Sequence, residues 1–250
     1  MLKATRISVV TLPLLLVNLA MSQPTFHVTN YIRSEYGAGN QNWDLSIGGN
    51  RTLYVANNSG LLKFNGANWQ LIHIPDKTIM RSVFCDSSKL YVGSFEEFGY
   101  WDLENNEPRE YHSLSKLINV NIENQEFWRI IKHNKKVYFQ SFGSIFYYDG
   151  EMVKPLEISF PVLFLIEVNN QLYIQAINGG IYRVANDKLQ LLPNSLFFKD
   201  TEVKTAFPYN DSKIIFATNN KGLFLYDGNT FTPWKTEIDD ALKSSNINNG

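Results

Sequence analysis

One phrase is written five times along this 250-residue chain. It reads Leu-Tyr-Val-Ala-Asn-Asn-Ser-Gly-Leu-Leu-Lys-Phe-Asn-Gly at 53–66 and Ile-Ile-Phe-Ala-Thr-Asn-Asn-Lys-Gly-Leu-Phe-Leu-Tyr-Asp-Gly at 214–228. Between them come Leu90-Tyr91-Val92-Gly93, Val137-Tyr138-Phe139 running to Asp149-Gly150, and Leu172-Tyr173-Ile174 running to Gly180-Ile181-Tyr182. The anchors Leu53, Leu90, Val137, Leu172 and Ile214 are 37, 47, 35 and 42 residues apart. Self-similarity at that period marks a solenoid, a propeller or an array, and it constrains the fold more than any composition figure does.

Each unit reads as four short strands. In the second unit, Met80 to Asp86 alternates as an inner strand, Ser87-Ser88 turns the chain, and 89–94 returns it. Gly99-Tyr100-Trp101-Asp102 and a strand containing Arg109-Glu110-Tyr111 complete the unit. Strand positions are aromatic or β-branched and separators are Asn, Asp, Gly and Ser, without a 3.6-residue period. Asn65-Gly66, Asp149-Gly150 and Asp227-Gly228 fall at one phase of the repeat. That phase predicts a hairpin between the third and fourth strands, with a type I′ turn expected because both central residues tolerate positive φ. Four antiparallel strands per unit predict an all-β fold, a β-propeller of four-stranded blades. The expected blades are about 42–78, 79–120, 126–160, 161–200 and 201–243, with 244–250 reading as the start of a sixth and 23–41 as an extended lead-in. An incomplete portion of a larger propeller is expected from that sixth opening; the alternative is a five-blade ring with a loose tail.

The first 22 residues read differently. Lys3 and Arg6 precede an almost wholly apolar run from Val9 to Ala20, and Ala20-Met21-Ser22 offers a cleavage site before Gln23. This is the pattern of a secretory signal peptide, with an uncleaved anchor as the alternative, and it predicts a periplasmic mature chain with no membrane span. Removing it leaves 21 basic against 24 acidic residues, a net charge near −3. No basic surface for nucleic acid is expected from that balance. The single cysteine, Cys85, excludes an intramolecular disulfide and sits in an apolar strand as a small hydrophobe.

The unit Asn-x-Leu-Tyr-Val-x-x-x-x-Gly-Leu-x-x-Phe/Tyr-Asn/Asp-Gly resembles the two-component regulator propeller repeat. Glu35-Tyr36-Gly37-Ala38 with Gln41-Asn42-Trp43-Asp44, Gly60 to Gly66 with Trp69, Arg81-Ser82-Val83, and Glu97-Phe98-Gly99-Tyr100 are similar to the N-terminal part of exported sensor proteins of Gram-negative bacteria. In that family the blades precede a triple-tyrosine domain, a transmembrane helix and a cytoplasmic output of LuxR or kinase type. The resemblance covers 26–250 and implies a ligand-sensing module; saccharides or their breakdown products are the ligands it suggests. This sequence contains neither the triple-tyrosine domain nor an output motif.

No Gly-x-Ser-x-Gly elbow, His-Glu-x-x-His pair or phosphate loop is present, so no catalytic residue, metal or cofactor is assigned. His27, His73, His112 and His133 occupy different phases of the repeat. The informative alignment is that of the inner strands. Counting from Asn42, Met80, Phe127, Val162 and Val203, the next position holds Trp43, Arg81, Trp128, Leu163 and Lys204. The one after holds Asp44, Ser82, Arg129, Phe164 and Thr205. Aromatic and cationic side chains therefore ring one mouth of the expected channel, and the loop after the second strand is expected to bring Glu96 and Glu97 to the same rim. Trp43, Arg81, Glu97, Trp128, Arg129 and Lys204 are the candidate ligand-binding residues, suited to a sugar-like or anionic small molecule. Inter-blade packing is the alternative for each tryptophan, and a Glu97–Arg81 ion pair for the charges. Two other functions fit the repeat: a propeller lyase or hydrolase using Asp44, Glu96 or Glu97, and a protein-interaction scaffold. An exposed last-blade flank would also allow a homodimer.

Overall fold

The computed structural model describes residues 28–244, apart from 77 and 211. The chain divides into two units, 1–31 and 32–250; of the first, only 28–31 is described, and it carries no helix or strand. The signal peptide expected at 1–22 and nearly all of the sixth-strand opening lie outside the described residues. Ser244 itself closes a short helix, Asp239–Ser244, rather than opening a strand.

Among the described residues the strands form five four-stranded antiparallel sheets, each in chain order. The first comprises β1 (Asn42–Ile47), β2 (Leu53–Asn57), β3 (Gly60–Phe64) and β4 (Trp69–Ile72), and the second β5 (Met80–Asp86), β6 (Lys89–Ser94), β7 (Phe98–Glu104) and β8 (Glu107–Ser113). The third comprises β9 (Arg129–His133), β10 (Lys136–Gln140), β11 (Ile145–Tyr148) and β12 (Val153–Pro155). The fourth comprises β13 (Val162–Val168), β14 (Gln171–Ala176), β15 (Ile181–Ala185) and β16 (Lys188–Leu191), and the fifth β17 (Val203–Pro208), β18 (Ile214–Thr218), β19 (Leu223–Tyr226) and β20 (Phe231–Trp234). Consecutive sheets meet along their first strands, β1 to β5 to β9 to β13 to β17, which places those strands around the channel. β1 and β17 do not pack against each other in the same way, so the sheets form an open arc of propeller blades.

Period-two alternation explains the packing. In each second strand the aromatic position is buried in an inter-blade core: Tyr54, Tyr91, Tyr138 and Tyr173 are all at most 5% exposed. Each core takes side chains from two successive blades. One joins Tyr91, Phe98 and Tyr100 of the second blade to Phe139, Phe146 and Tyr148 of the third. Phe98 is fully buried, with ring centroids 4.6 Å from Phe127 and 4.7 Å from Phe139. Such aromatic stacking supplies both area and geometry where no disulfide is available. The outer flank of the first blade is closed differently. The lead-in segment, expected to be extended, forms a short helix α1 (Arg33–Tyr36), and Tyr36 and Ala38 pack on Val55, Leu62 and Trp69.

The hairpin between third and fourth strands is present in every blade, but its chemistry differs from the expected type I′ turn. In the first, third and fifth blades Gly66, Gly150 and Gly228 alone take positive φ (96°, 104° and 98°). Asn65, Asp149 and Asp227 instead turn their side chains onto the backbone N–H groups two and three residues on. These are four-residue loops closed by an Asx acceptor. Two consecutive positive φ values occur in the second and fourth blades, at Asn105-Asn106 and Asn186-Asp187, where glycine is absent. Asparagine and aspartate enter that region at the least cost among side-chain-bearing residues.

Candidate functional site

The rim is built by a bulge that the repeat imposes. The ladder between first and second strands skips a residue between Asn42 and Asp44, Met80 and Ser82, Val162 and Phe164, and Val203 and Thr205. The skipped residues are Trp43, Arg81, Leu163 and Lys204. In the third blade Arg129 pairs with Gln140, while the Trp128 N–H also donates to the Gln140 carbonyl at 2.8 Å. A bulge leaves its extra residue out of the ladder and re-aims the side chain. The bulged Trp43, Arg81 and Leu163 meet Trp128 and Arg129 of the third blade at one cavity of about 240 Å³, closed by Asp44, Gln140, Phe142 and Phe164.

Arg81 is the centre of one half. Its guanidinium carbon lies 4.5 Å from the Trp43 ring and 4.6 Å from the Trp128 ring, and those rings meet edge-on at 5.3 Å. Arg81 Nη1 donates to Asn58 Oδ1 at 3.0 Å, and the same oxygen accepts Trp43 Nε1 at 2.7 Å. Arg81 Nη2 donates to Glu126 Oε1 at 2.8 Å. The guanidinium is thus paired, stacked on both faces and almost out of solvent. Cation–π contact of this kind adds roughly 0.5–2 kcal/mol per ring. Trp43 and Trp128 pack on Arg81 between blades, the alternative expected for them, and both also line the cavity.

Arg129 is the centre of the other half. Its Nε is buried without a hydrogen-bond partner, and among the described residues no acceptor lies within hydrogen-bond distance of its other nitrogens. Burial pulls its pKa below the ordinary arginine value, opposed by the charge of Asp44. Asp44 does not reach it as an ion pair. Asp44 Oδ2 accepts the Val83 N–H at 3.0 Å and Oδ1 the Leu45 N–H at 2.9 Å, stapling β1 to β5. Burial raises the Asp44 pKa, with those two N–H groups and Arg129 opposing. Phe164 lies 5.9 Å from the Arg129 guanidinium carbon and 5.2 Å from Lys204 Nζ, which is itself paired with Glu202 at 2.5 Å. Arg129 and Asp44 also line a second cavity of about 340 Å³ that runs down the channel between all five inner strands.

Glu97 is a correction. The loop after β6 turns it away from the channel and under its own blade. There its carboxylate accepts hydrogen bonds from Tyr111 at 3.0 Å, Ser113 at 2.9 and 3.0 Å, and Ser115 at 2.8 Å. Burial raises its pKa, while those hydroxyls and Lys116 pull the other way. The carboxylate that meets Arg81 is Glu126. Glu96 is exposed and accepts the Asn124 N–H, which ties the 95–97 loop to the segment carrying Glu126. Two rim-forming residues were not anticipated. Buried Gln140 accepts the Leu165 N–H and Gln175 the Val203 N–H, each clipping its blade to the next inner strand. Their signal is phase: both are the glutamine that follows Tyr-x in a second strand.

No family model matches the sequence, and no curated protein does. Solved structures do. The extracellular domain of a protein assigned to a hybrid two-component system, BT3049 of B. thetaiotaomicron, superposes with a TM-score of 0.58 at 17% identity, over 82% of this chain and 31% of that one. PorZ, a surface component of the type-IX secretion system of Porphyromonas gingivalis, gives 0.52 at 16% identity, over 74% of this chain and 25% of that one. The WD40 propeller domain of Doa1 gives 0.56 at 14% identity, over 76% and 66%. The chain therefore spans a third or less of the two bacterial proteins. At these identities the likeness establishes the β-propeller fold.

Proposed function

We propose that this chain is the ligand-recognition propeller of an exported bacterial sensor, and that it binds a polar organic ligand at the bulged rim of its channel. The observation that carries the reading is the rim itself. Four inner strands use a bulge to turn a side chain out of the ladder, and Trp43, Trp128, Phe142 and Phe164 wall a cavity that also holds Arg129, whose guanidinium has no ion pair or hydrogen bond among the described residues. Aromatic faces and a small number of convergent polar groups are what a saccharide or a saccharide fragment requires. The resemblance to the two-component regulator propeller and the fold shared with an extracellular sensor domain support the assignment. On this reading a triple-tyrosine domain and an output domain transmit the signal in the full architecture. Binding is favoured over turnover because Asp44 is committed to two backbone N–H groups and Glu97 faces away from the cavity.

The test is calorimetry of the exported protein against a panel of neutral and acidic glycan fragments, repeated with Trp43→Ala. A panel member that binds the parent and loses roughly tenfold in affinity in the variant, the scale of one lost aromatic contact, supports the rim. Equal affinity in both proteins would place recognition elsewhere. Export has its own readout: the periplasmic protein should begin at Gln23 by mass spectrometry, and an intact Met1 there would contradict it.

A second reading, an interaction scaffold, has one observation in its favour. YCF48 in its complex with D1 peptide superposes with a TM-score of 0.56 at 11% identity, over 80% of this chain and 67% of that one. A peptide that binds and is displaced by no glycan would favour it.

A further inference from the structure

The three cations of the rim are not equivalent. Arg81 is bonded to Asn58 and Glu126 through its two terminal nitrogens, and Lys204 is paired with Glu202. Arg129 has neither an ion pair nor a hydrogen bond among the described residues, although burial is severe enough to lower its pKa. A buried charge without a partner is costly, and guanidinium stays protonated where an amine would lose its proton. Asp44, whose charge acts on Arg129, is held back by its bonds to Val83 and Leu45. The terminal nitrogens of Arg129, bonded to nothing among the described residues, are free to take an anion from outside.

Resting on the reading of the rim as a recognition site, we infer that Arg129 is the anchor for the carboxylate of a small monoanionic ligand whose flat apolar part lies against Trp128, Phe142 and Phe164. The guanidinium fork matches two carboxylate oxygens in one plane. One charge is expected rather than two, because Arg129 is the single uncommitted cation at the cavity and Asp44 stands beside it. The room is adequate: the cavity is about 240 Å³, against the roughly 150 Å³ that holds benzene in an apolar pocket. Gln140 contributes shape rather than recognition, since its amide is spent on Ser141, Leu163 and Leu165.

Tryptophan fluorescence titration with benzoate, acetate, benzamide and inorganic phosphate tests this directly, because Trp43 and Trp128 wall the cavity. Benzoate should bind saturably, with acetate and benzamide each weaker by about tenfold or more, since each lacks one half of the recognised pair. Arg129→Gln should weaken benzoate by roughly tenfold or more, and Arg129→Lys, which keeps the charge but loses the fork, should fall between the two. Asp44→Asn should tighten benzoate several-fold by removing a like charge, an effect that a purely structural role for Arg129 would not produce. Circular dichroism and a urea midpoint show that each variant is folded. The inference is overturned if benzoate does not bind, if benzamide binds as well, or if Arg129→Gln binds benzoate as the parent does. Phosphate binding as tightly as benzoate would overturn the carboxylate selectivity. A neutral glycan that binds in a Trp43-dependent manner while every carboxylate fails would sink this inference and leave the rim reading standing.

Discussion

Two arginines stand on the same rim and have opposite environments. Arg81 is enclosed by Trp43 and Trp128 and bonded to Asn58 and Glu126, so its charge is consumed by the fold. Both arginines leave Nε without a partner, but the terminal nitrogens of Arg129 find no acceptor among the described residues, and Asp44 is turned towards backbone N–H groups. One arginine holds blades together, and the other is held by them. The difference shows that residue type and repeat phase bring a cation to a rim, whereas the acceptors supplied by neighbouring loops decide whether that cation is structural.

The largest expected effect would come from breaking the satisfied half. Arg81→Met removes the stacked guanidinium and leaves Glu126 partly buried without its cation. A loss of about 2–4 kcal/mol is expected, near the cost of breaking a buried pair and reduced for the exposure that Glu126 retains. Urea denaturation measures it. Glu126→Gln removes the charge while keeping a hydrogen-bond acceptor, so about 1–2 kcal/mol is expected by the same measurement. If Glu126→Gln matched Arg81→Met, the tryptophan sandwich would contribute nothing.

A smaller effect separates Glu97 from both arginines. Its pKa is raised in the folded protein, chiefly by burial. The native state therefore holds the proton more tightly than the unfolded chain. The stability this group contributes is full below the ordinary glutamate range and falls as pH rises through the raised value. Glu97→Gln should flatten that decline in urea midpoints measured from acid to neutral pH, and it should leave the Arg81 half of the rim unchanged. An unaltered slope would show that Glu97 does not carry the dependence. The smallest effect belongs to Lys204→Ala, which breaks a pair whose carboxylate, Glu202, is 42% exposed, and below about 1 kcal/mol is expected.

The fold was largely legible in the sequence, because a repeat forces in-phase residues into equivalent places. The buried Tyr54, Tyr91, Tyr138 and Tyr173 and the open course of five blades follow from that phase. The rim was legible as a set of positions and not as chemistry. Nothing in a single chain marks the bulge that turns out Trp43, Arg81, Leu163 and Lys204, since a bulge appears only when one strand is paired with another. Glu97 was misplaced for a related reason. Its loop leaves β6 at the rim, but three hydroxyls from Tyr111, Ser113 and Ser115 donate to the carboxylate and draw it under the blade, and such competition among donors has no sequence signature. The Asn/Asp-Gly loops were recognised as turns and mistyped, because the Asx acceptor and the type I′ turn favour the same residues.

The central claim is that Arg81 is a structural cation and Arg129 is one the fold leaves unpaired. Urea midpoints of Arg81→Met and Arg129→Met, measured side by side without ligand, test it most directly. Removing an unpaired buried charge in favour of an apolar side chain of similar length should leave stability unchanged or raise it by about 1 kcal/mol, while Arg81→Met falls by about 2–4 kcal/mol. Equal losses in the two variants would contradict the account and make Arg129 a second structural cation.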